Sequence, residues 1–418
     1  MKFHVINLGC KVNRVESDSF IASLMSRGWE NSELAEADVL IINTCMVTGE
    51  AEKKTRKTIR RALRENLLAY VVVTGCAAAL DPHTYKEMDK RVYVEADKTQ
   101  VVKAVEQKLS ASSKTCSNIS GEENLAPKQV SASASASSTL RLRLGNDFAT
   151  RVGIKIQDGC DNACTYCIVH KARGKAWSRP SQEIIKEVCA YDVMGVKEVV
   201  LTGINLGSYC ESALSLSTLL EELLTQTTSV RFRLSSIEPH NIDKRLINVM
   251  AQANGRVCRH LHLPLQSGSS RILKEMDRPY DVSTYMALVK SLYDAIPNLS
   301  LSTDIIVGFP SEDEFDFEET MRIAQECAYS KIHVFPYSKR EGTPAANRLD
   351  QVDHDTKFSR THRLNELAKQ LRQADLERRR GTKEYVLVEA CGKGTTESYH
   401  QISTPPDAVP GELIELTL

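Results

Sequence analysis

The 418-residue chain has no net charge, since 54 Lys and Arg balance 54 Asp and Glu. A protein balanced in this way has no overall pull on polyanions, so any nucleic-acid surface must be a local patch. It has no apolar run longer than a strand, which excludes a helix able to cross a bilayer. The opening MKFHVINLGC carries no basic leader ahead of an apolar stretch, so a cytoplasmic protein without membrane attachment is expected. Twelve cysteines are present, without the short chain and export signal that would make them a disulfide framework. In such a setting clustered cysteines more often bind metal or do redox chemistry. Cys189, Cys210, Cys258 and Cys327 lack a partner motif and read as small buried hydrophobes.

The length is too great for one core and implies two or three domains. From residue 1 to 109, strand-like FHVINL, VLIINT, YVVVTG and RVYVEA alternate with helical stretches such as SDSFIASLMSRGW and KKTRKTIRRALREN. That alternation predicts an α/β domain with a parallel sheet. Residues 110–140 are rich in Ser and Ala and poor in large apolar residues, so a flexible linker containing Cys116 is expected there. Between 145 and 380, six strands (VGIKIQ, EVVLTG, RFRLSS, HLHLPL, LSTDIIVGF, KIHVFPY) separated by helices predict a (β/α)6 partial TIM barrel, whose functional residues gather at the strands' C-terminal ends. A basic helix with Leu364, Leu367 and Leu371 facing inward ends this region. Residues 381–418 read as a short β-rich cap, too small to stand alone.

"CDNACTYC" supplies three cysteines, Cys160, Cys164 and Cys167, and no fourth nearby. Structural zinc takes four ligands, often as two Cys-x-x-Cys pairs, so a zinc site here would need His170 or a distant cysteine. A cubane iron–sulfur cluster is also held by thiolates, and three of them leave one iron open to an external molecule. The loop follows the first barrel strand, at the functional mouth. A second trio, Cys10, Cys45 and Cys76, stands just past three separate predicted strands. Such ends share one sheet edge, so these thiols can converge, with Gly9 and Gly75 allowing close approach to a bulky group. Three structural cysteines are the alternative.

Cys-x-x-x-Cys-x-aromatic-Cys, with Tyr166 as the aromatic, resembles the radical S-adenosylmethionine superfamily. Two trios in this order resemble its methylthiotransferases, and "LGCKVNRVESD", "INTCMVT", "VVTGCAA", "LTGINLGSY", "RLSSIEP", "HLPLQSGSSRILKEMDRPY", "TDIIVGFPSE" and "FPYSKREGTPA" extend the likeness over nearly the whole chain. The resemblance implies two [4Fe-4S] clusters. The barrel cluster, on Cys160, Cys164 and Cys167, would cleave S-adenosylmethionine to a 5′-deoxyadenosyl radical; the second, on Cys10, Cys45 and Cys76, would carry or activate sulfur. S-adenosylmethionine would serve as methyl donor and radical source, with an external electron donor and a sulfur donor as partners and the protein as a monomer.

"LGCKVN" is similar to the MtaB-type branch, which acts on N6-threonylcarbamoyladenosine in tRNA. Isopentenyladenosine-tRNA and a ribosomal-protein aspartate are the alternative substrates within the family. A radical enzyme that only methylates and a non-catalytic zinc-stabilised RNA-binding protein are the alternatives outside it. Two basic blocks, Lys53 to Arg64 and Arg360 to Arg380, fit phosphate contacts on a structured RNA. The 381–418 cap resembles a shortened TRAM domain. Thr202, Gly203, Ser236, Glu238, Gln266 and Gly308, at predicted strand ends, suit hydrogen bonds to the cofactor, as does a place beside it for Tyr166. Glu238 and Asp304 are alternatively carboxylates satisfied inside the barrel. Arg173 and Arg179 fit either an anion or surface ion pairs.

Overall fold

The computed structural model describes residues 1–46, 48–116, 150–390 and 392–418, with the backbone alone for 109–116. Contacts divide the chain into two compact units, Met1–Gly145 and Asn146–Leu418.

The first unit is a five-stranded sheet: β1 (Lys2–Asn7), β2 (Glu30–Asn31), β3 (Val39–Thr44), β4 (Tyr70–Gly75) and β5 (Val92–Val94). Its order is β2-β1-β3-β4-β5 and every pairing is parallel. The central β3 is buried along its whole length, which explains its unbroken apolar run, since a parallel strand is covered on both faces. Alternate residues divide between two cores. Leu40, Ile42, Val71 and Val73 pack on Ile59, Ala62 and Leu63 of α2 (Gly49–Glu65). Val39, Ile41 and Val72 face Phe20 and Leu24 of α1 (Lys11–Met25) and Val101 and Val105 of α4 (Val101–Cys116). A short α3 (Cys76–Leu80) follows β4 directly.

The first residues of the expected linker are helical. Helix α4 continues to Cys116, because Ala, Ser and Lys without Gly or Pro prolong a helix already nucleated by the apolar VVKAVEQKL. The remainder of 110–140 lies outside the described residues.

In the second unit six strands follow: β6 (Val152–Lys155), β7 (Glu198–Thr202), β8 (Arg231–Leu234), β9 (His260–His262), β10 (Ser300–Val307) and β11 (Lys331–Pro336). β6, β7 and β8 pair in parallel, as do β9, β10 and β11. Bridges Phe232–Val257 and Ser236–His262 join the two halves. Among the described residues no ladder connects β11 back to β6, which is the open barrel expected from the sequence. Helix α5 (His354–Arg378) packs beside β11 with Leu364 fully buried.

The C-terminal strands β12 (Lys383–Ala390), β13 (Lys393–Thr396), β14 (Gln401–Ser403) and β15 (Leu413–Thr417) form an antiparallel sheet, ordered β14-β13-β12-β15. This cap belongs to the barrel unit. Arg231 donates to the Tyr385 carbonyl at 3.0 Å, and Arg233 to the carbonyls of Thr396 and Glu397 at 3.1 Å. Both guanidiniums also hold the fully buried Glu198. Burial opposes ionisation of Glu198, but Arg233, Arg231 and Arg151 outweigh it and hold the carboxyl well below the usual range. Glu198 and Arg231 begin their strands, so the cap covers the N-terminal end of the barrel.

Candidate cluster sites and the barrel mouth

The thiol loop leaves β6 through a tight turn. Gly159 has φ +74°, and a Cβ there would meet the Lys175 carbonyl oxygen at 2.0 Å, so only glycine fits. The Cys167 amide donates to the Cys164 carbonyl at 3.0 Å, folding the two thiols toward one side. Thr165 pins the loop from outside: its amide and hydroxyl donate to the Met276 and Glu275 carbonyls, and its own carbonyl accepts from the Ala345 amide at 2.9 Å. Tyr166 packs on Ile272, Met276, Ile306, Phe309, Tyr337 and Ala345.

Arg278 closes the site. Its Nη1 lies 3.1 Å from the Cys164 sulfur and 3.5 Å from the Tyr166 hydroxyl, and its Nη2 bonds the Tyr280 hydroxyl at 2.9 Å and pairs with Glu238. Nothing in the sequence marked this arginine except its place in "MDRPY". Burial raises the thiol pKa of Cys160 and Cys164, and pushes Cys167 up to about 12. Cys164 and Cys160 also oppose ionisation of Cys167 through their own charge. Cys164 is buried and Cys160 and Cys167 are half-buried, and surroundings that oppose ionisation of all three thiols fit a metal centre, whose positive charge favours the thiolates.

Of the sequence-predicted cofactor residues, Thr202, Gly203, Ser236 and Gly308 lie within two residues of the C-terminal ends of barrel strands, Glu238 and Gln266 four residues beyond theirs, and Tyr166 on the loop itself. Thr202 ends β7, and its buried hydroxyl has no hydrogen-bond partner among the described residues. The same is true of the Ser235 hydroxyl past β8. Glu238 follows, held by Arg278. Ser236 bridges to His262. Gln266 adopts φ +69° and exchanges backbone bonds of 2.9 Å with Asp304 and Ile306. Orphaned hydroxyls at the same end of the barrel strands as the thiol loop fit a polar ligand there.

Two of the expected cofactor-contact residues are closely packed glycines. A Cβ on Gly203 would meet the Gln157 side chain at 2.8 Å, and one on Gly308 the Lys357 chain at 2.3 Å. Gln157 was missed by sequence reasoning; it bonds the carbonyls of Asp158 and Gly159 and accepts from the Asn205 amide, fastening the loop's root. The Gly308 amide donates to Glu312 at 2.7 Å, whose carboxyl burial nevertheless pushes up to about 7. Arg173 pairs with Asp158 at 2.8 Å, and Arg179 with Glu187 at 2.5 Å, so both make ion pairs within the fold. His170 lies on the short helix Val169–Arg173 beside the loop.

In the first unit Cys10 caps α1, Cys45 follows β3 and Cys76 opens α3 after β4. β1, β3 and β4 are consecutive in the sheet, so their ends lie within about 10 Å of one another. Cys10 is exposed, while Cys45 and Cys76 are buried. An amide network ties the ends together: Asn13 Nδ2 donates to Asn43 Oδ1 at 3.0 Å and to the Thr44 carbonyl at 2.8 Å, and Asn43 returns 2.9 Å to the Asn13 carbonyl. Gly75 has φ +95°, and a Cβ there would lie 2.4 Å from the Thr44 oxygen. Gly9 makes way for Asn13. Both glycines therefore serve the packing of the strand ends. The Thr74 hydroxyl, next to Gly75, is buried without a hydrogen-bond partner among the described residues.

Of the four cysteines expected to be inert, Cys258 and Cys327 are buried, Cys189 is half-buried and Cys210 is exposed. Cys210 lies on a two-residue hairpin strand rather than in a core element. The second basic block also departs from expectation. Arg360 is buried against Glu312, Arg363 pairs with Glu314 and Glu318, Lys369 with Glu366, and Arg379 with Asp375 and Glu384. On α2 the case differs: no ion pair among the described residues engages Lys53, Lys57, Arg60 or Arg64, which with Arg56 line one groove.

Among the described residues no helix is long and apolar enough to cross a membrane. Residues 154–324 match the radical SAM superfamily model, and residues 2–95 match an uncharacterised family designated UPF0004. A threonylcarbamoyladenosine tRNA methylthiotransferase, MtaB, from Bacillus subtilis is 39% identical over 88% of this chain and 80% of its own length. A tRNA-2-methylthio-N6-dimethylallyladenosine synthase from Oceanobacillus iheyensis is 33% identical over 95% of this chain and 76% of its own. Among solved structures, the radical S-adenosylmethionine methyltransferase TsrM from Kitasatospora setae shares the fold, with a TM-score of 0.55 at 14% identity over 82% of this chain and 75% of that one. The superfamily works with S-adenosylmethionine and a [4Fe-4S] cluster, which agrees with the thiol trio at the barrel mouth. The chain belongs to the methylthiotransferase family of radical S-adenosylmethionine enzymes.

Proposed function

We propose that the protein adds a methylthio group at C2 of N6-threonylcarbamoyladenosine next to the tRNA anticodon, in the cytoplasm. The observation that carries this reading is the 39% identity to the Bacillus relative over most of both chains, together with "LGCKVN" around Cys10. Residues 1–109 act as the sulfur-handling domain, 145–380 as the radical domain and 381–418 as a TRAM-like cap.

Cys160, Cys164 and Cys167 hold one [4Fe-4S] cluster, and Cys10, Cys45 and Cys76 the other. Bound there, the clusters and S-adenosylmethionine supply a hydrogen-abstracting radical, a methyl group and sulfur. The chain's own residues orient and shield. Arg278 fixes Cys164 and keeps Glu238 in place. Tyr166 seals the loop against the apolar cluster beneath it. Thr202, Ser236, Glu238 and Gln266 supply polar contacts for the cofactor, with Gly203 and Gly308 shaping the backbone around it. An external electron donor and a sulfur donor complete the cycle, and the protein acts as a monomer.

The test is mass spectrometry of tRNA nucleosides from a host lacking its own threonylcarbamoyladenosine methylthiotransferase, carrying the intact gene or Cys164→Ala. The 2-methylthio derivative should appear with the intact gene alone. Unmodified threonylcarbamoyladenosine in both, with sound expression, would refute the substrate assignment.

A further inference from the structure

Three strands of the barrel bring His262 (β9), Asp304 (β10) and His333 (β11) together, and their polar atoms all lie within 4.8 Å of one another. Register explains the convergence, because Asp304 pairs directly with His333, and His262 with Ser302, two residues before Asp304. His262 Nδ1 bonds the Ser302 hydroxyl at 2.9 Å, and its Nε2 lies 3.2 Å from Asp304 Oδ2. All three residues are half-buried.

Alternation along the strands places this cluster inside the barrel. Asp304 shares a face of β10 with Ile306, which packs in the same cluster as Tyr166 of the thiol loop. The cluster thus lies one alternation, about 7 Å, below the loop. His333 shares its face of β11 with Phe335, whose register partner is Ile306 and whose ring is 37% exposed. An exposed aromatic in the wall of a barrel, beside an edge of imidazoles and a carboxylate, offers a flat apolar platform and paired donors and acceptors.

That combination matches a nucleobase, since proteins read unstacked bases by aromatic stacking and edge hydrogen bonds. We propose that His262, Asp304, His333 and Phe335 form the pocket for the target adenine. This rests on the tRNA reading above. The ring stacks on Phe335, Asp304 accepts the N6 hydrogen and an imidazole N–H donates to N7. Held by that edge, the base leaves C2 on its far side.

The experiment uses the reconstituted holoenzyme and an anticodon stem-loop bearing threonylcarbamoyladenosine or its 7-deaza analogue. With wild type the deaza substitution should raise KM about tenfold. The His262→Ala/His333→Ala double variant should show a comparable rise with the normal base and no added penalty with the analogue. Phe335→Leu should weaken stem-loop binding about tenfold, while the affinity for S-adenosylmethionine stays unchanged. An equal deaza penalty in the double variant, or a parallel loss of cofactor affinity, would overturn the proposal; the latter would assign the pocket to the cofactor's own adenine. Stoichiometric zinc in the wild type that disappears in the double variant would overturn it in favour of a metal site. No product from wild type with either stem-loop would instead remove the tRNA reading, and this pocket with it.

Discussion

In the barrel unit the three thiols come from one loop, Cys160 to Cys167, and in the first unit from three strand ends 35 and 31 residues apart (45 − 10 and 76 − 45). The loop has no regular structure of its own to fix it, so it borrows rigidity from elsewhere: Thr165 on Met276, Glu275 and Ala345, and Arg278 on Cys164. The strand-end set takes its geometry from the sheet, reinforced by the bonds between Asn13 at the start of α1 and Asn43 of β3. Charge follows the same division. Several barrel-unit cations are neutralised internally, as at Arg231, Arg233 and Arg379, whereas α2 leaves a row of them open. A site carried by a loop depends on distant anchors, and one carried by a sheet edge depends on the strands beneath it.

The sharpest test of that division exchanges one thiol at a time. Cys164→Ala should abolish cleavage of S-adenosylmethionine to 5′-deoxyadenosine. Cys76→Ala should retain cleavage and lose methylthio product. Chromatography of the small-molecule products and nucleoside mass spectrometry read the two steps separately. If both variants lose cleavage alike, the two trios do not divide the chemistry as proposed.

Arg278→Met probes the anchor. Removing one partner of a buried charge pair costs about 3–5 kcal/mol, here leaving the Glu238 carboxylate without its guanidinium. Thermal unfolding should shift down strongly, and iron bound at the barrel should fall. Arg278→Lys, which keeps the charge but not the planar fork, should recover only part of either. Unchanged stability and iron in the Met variant would show that the loop holds itself.

Gly75→Ala probes the sheet edge. At φ +95°, with the Thr44 oxygen in the path of a Cβ, the substitution should cost about 1–3 kcal/mol. Its effect should fall on the first unit, lowering total iron toward half while sparing cofactor cleavage. Equal loss of both activities would argue against separate sites.

What could be read from the sequence follows from the same contrast. The loop motif and the strand-end cysteines were visible because each sits at a fixed offset from an apolar run. The parallel sheet and the six barrel strands were visible through their alternation with helices. What could not be read was long-range: Arg278 reaches Cys164 across 114 residues, and no local pattern encodes that. The acidic partners of Arg360 and Arg363, namely Glu312, Glu314 and Glu318, lie more than 40 positions upstream, so for these two the local sequence presented open cations where the fold has ion pairs. Gly9 and Gly75 were recognised as necessary, but the strand end that Gly75 accommodates, at Thr44, is its neighbour only in space.

The two basic blocks supply the smallest expected effect. Lys53, Lys57, Arg60 and Arg64 recur at intervals of three to four residues, opposite the buried Thr55, Ile59 and Leu63, and form a stripe about 16 Å long. Open cations in a row release counterions when they meet a phosphate backbone, so each residue changed to Gln should lower the salt slope of tRNA binding by about 1. Arg363→Gln and Lys369→Gln, whose cations already face Glu314, Glu318 and Glu366, should leave that slope unchanged. Binding isotherms at several salt concentrations separate the cases without requiring turnover. Equal slopes for both sets would mean that pairing within the fold does not decide which cations meet RNA, and the contrast between the two units would then hold for the thiols alone.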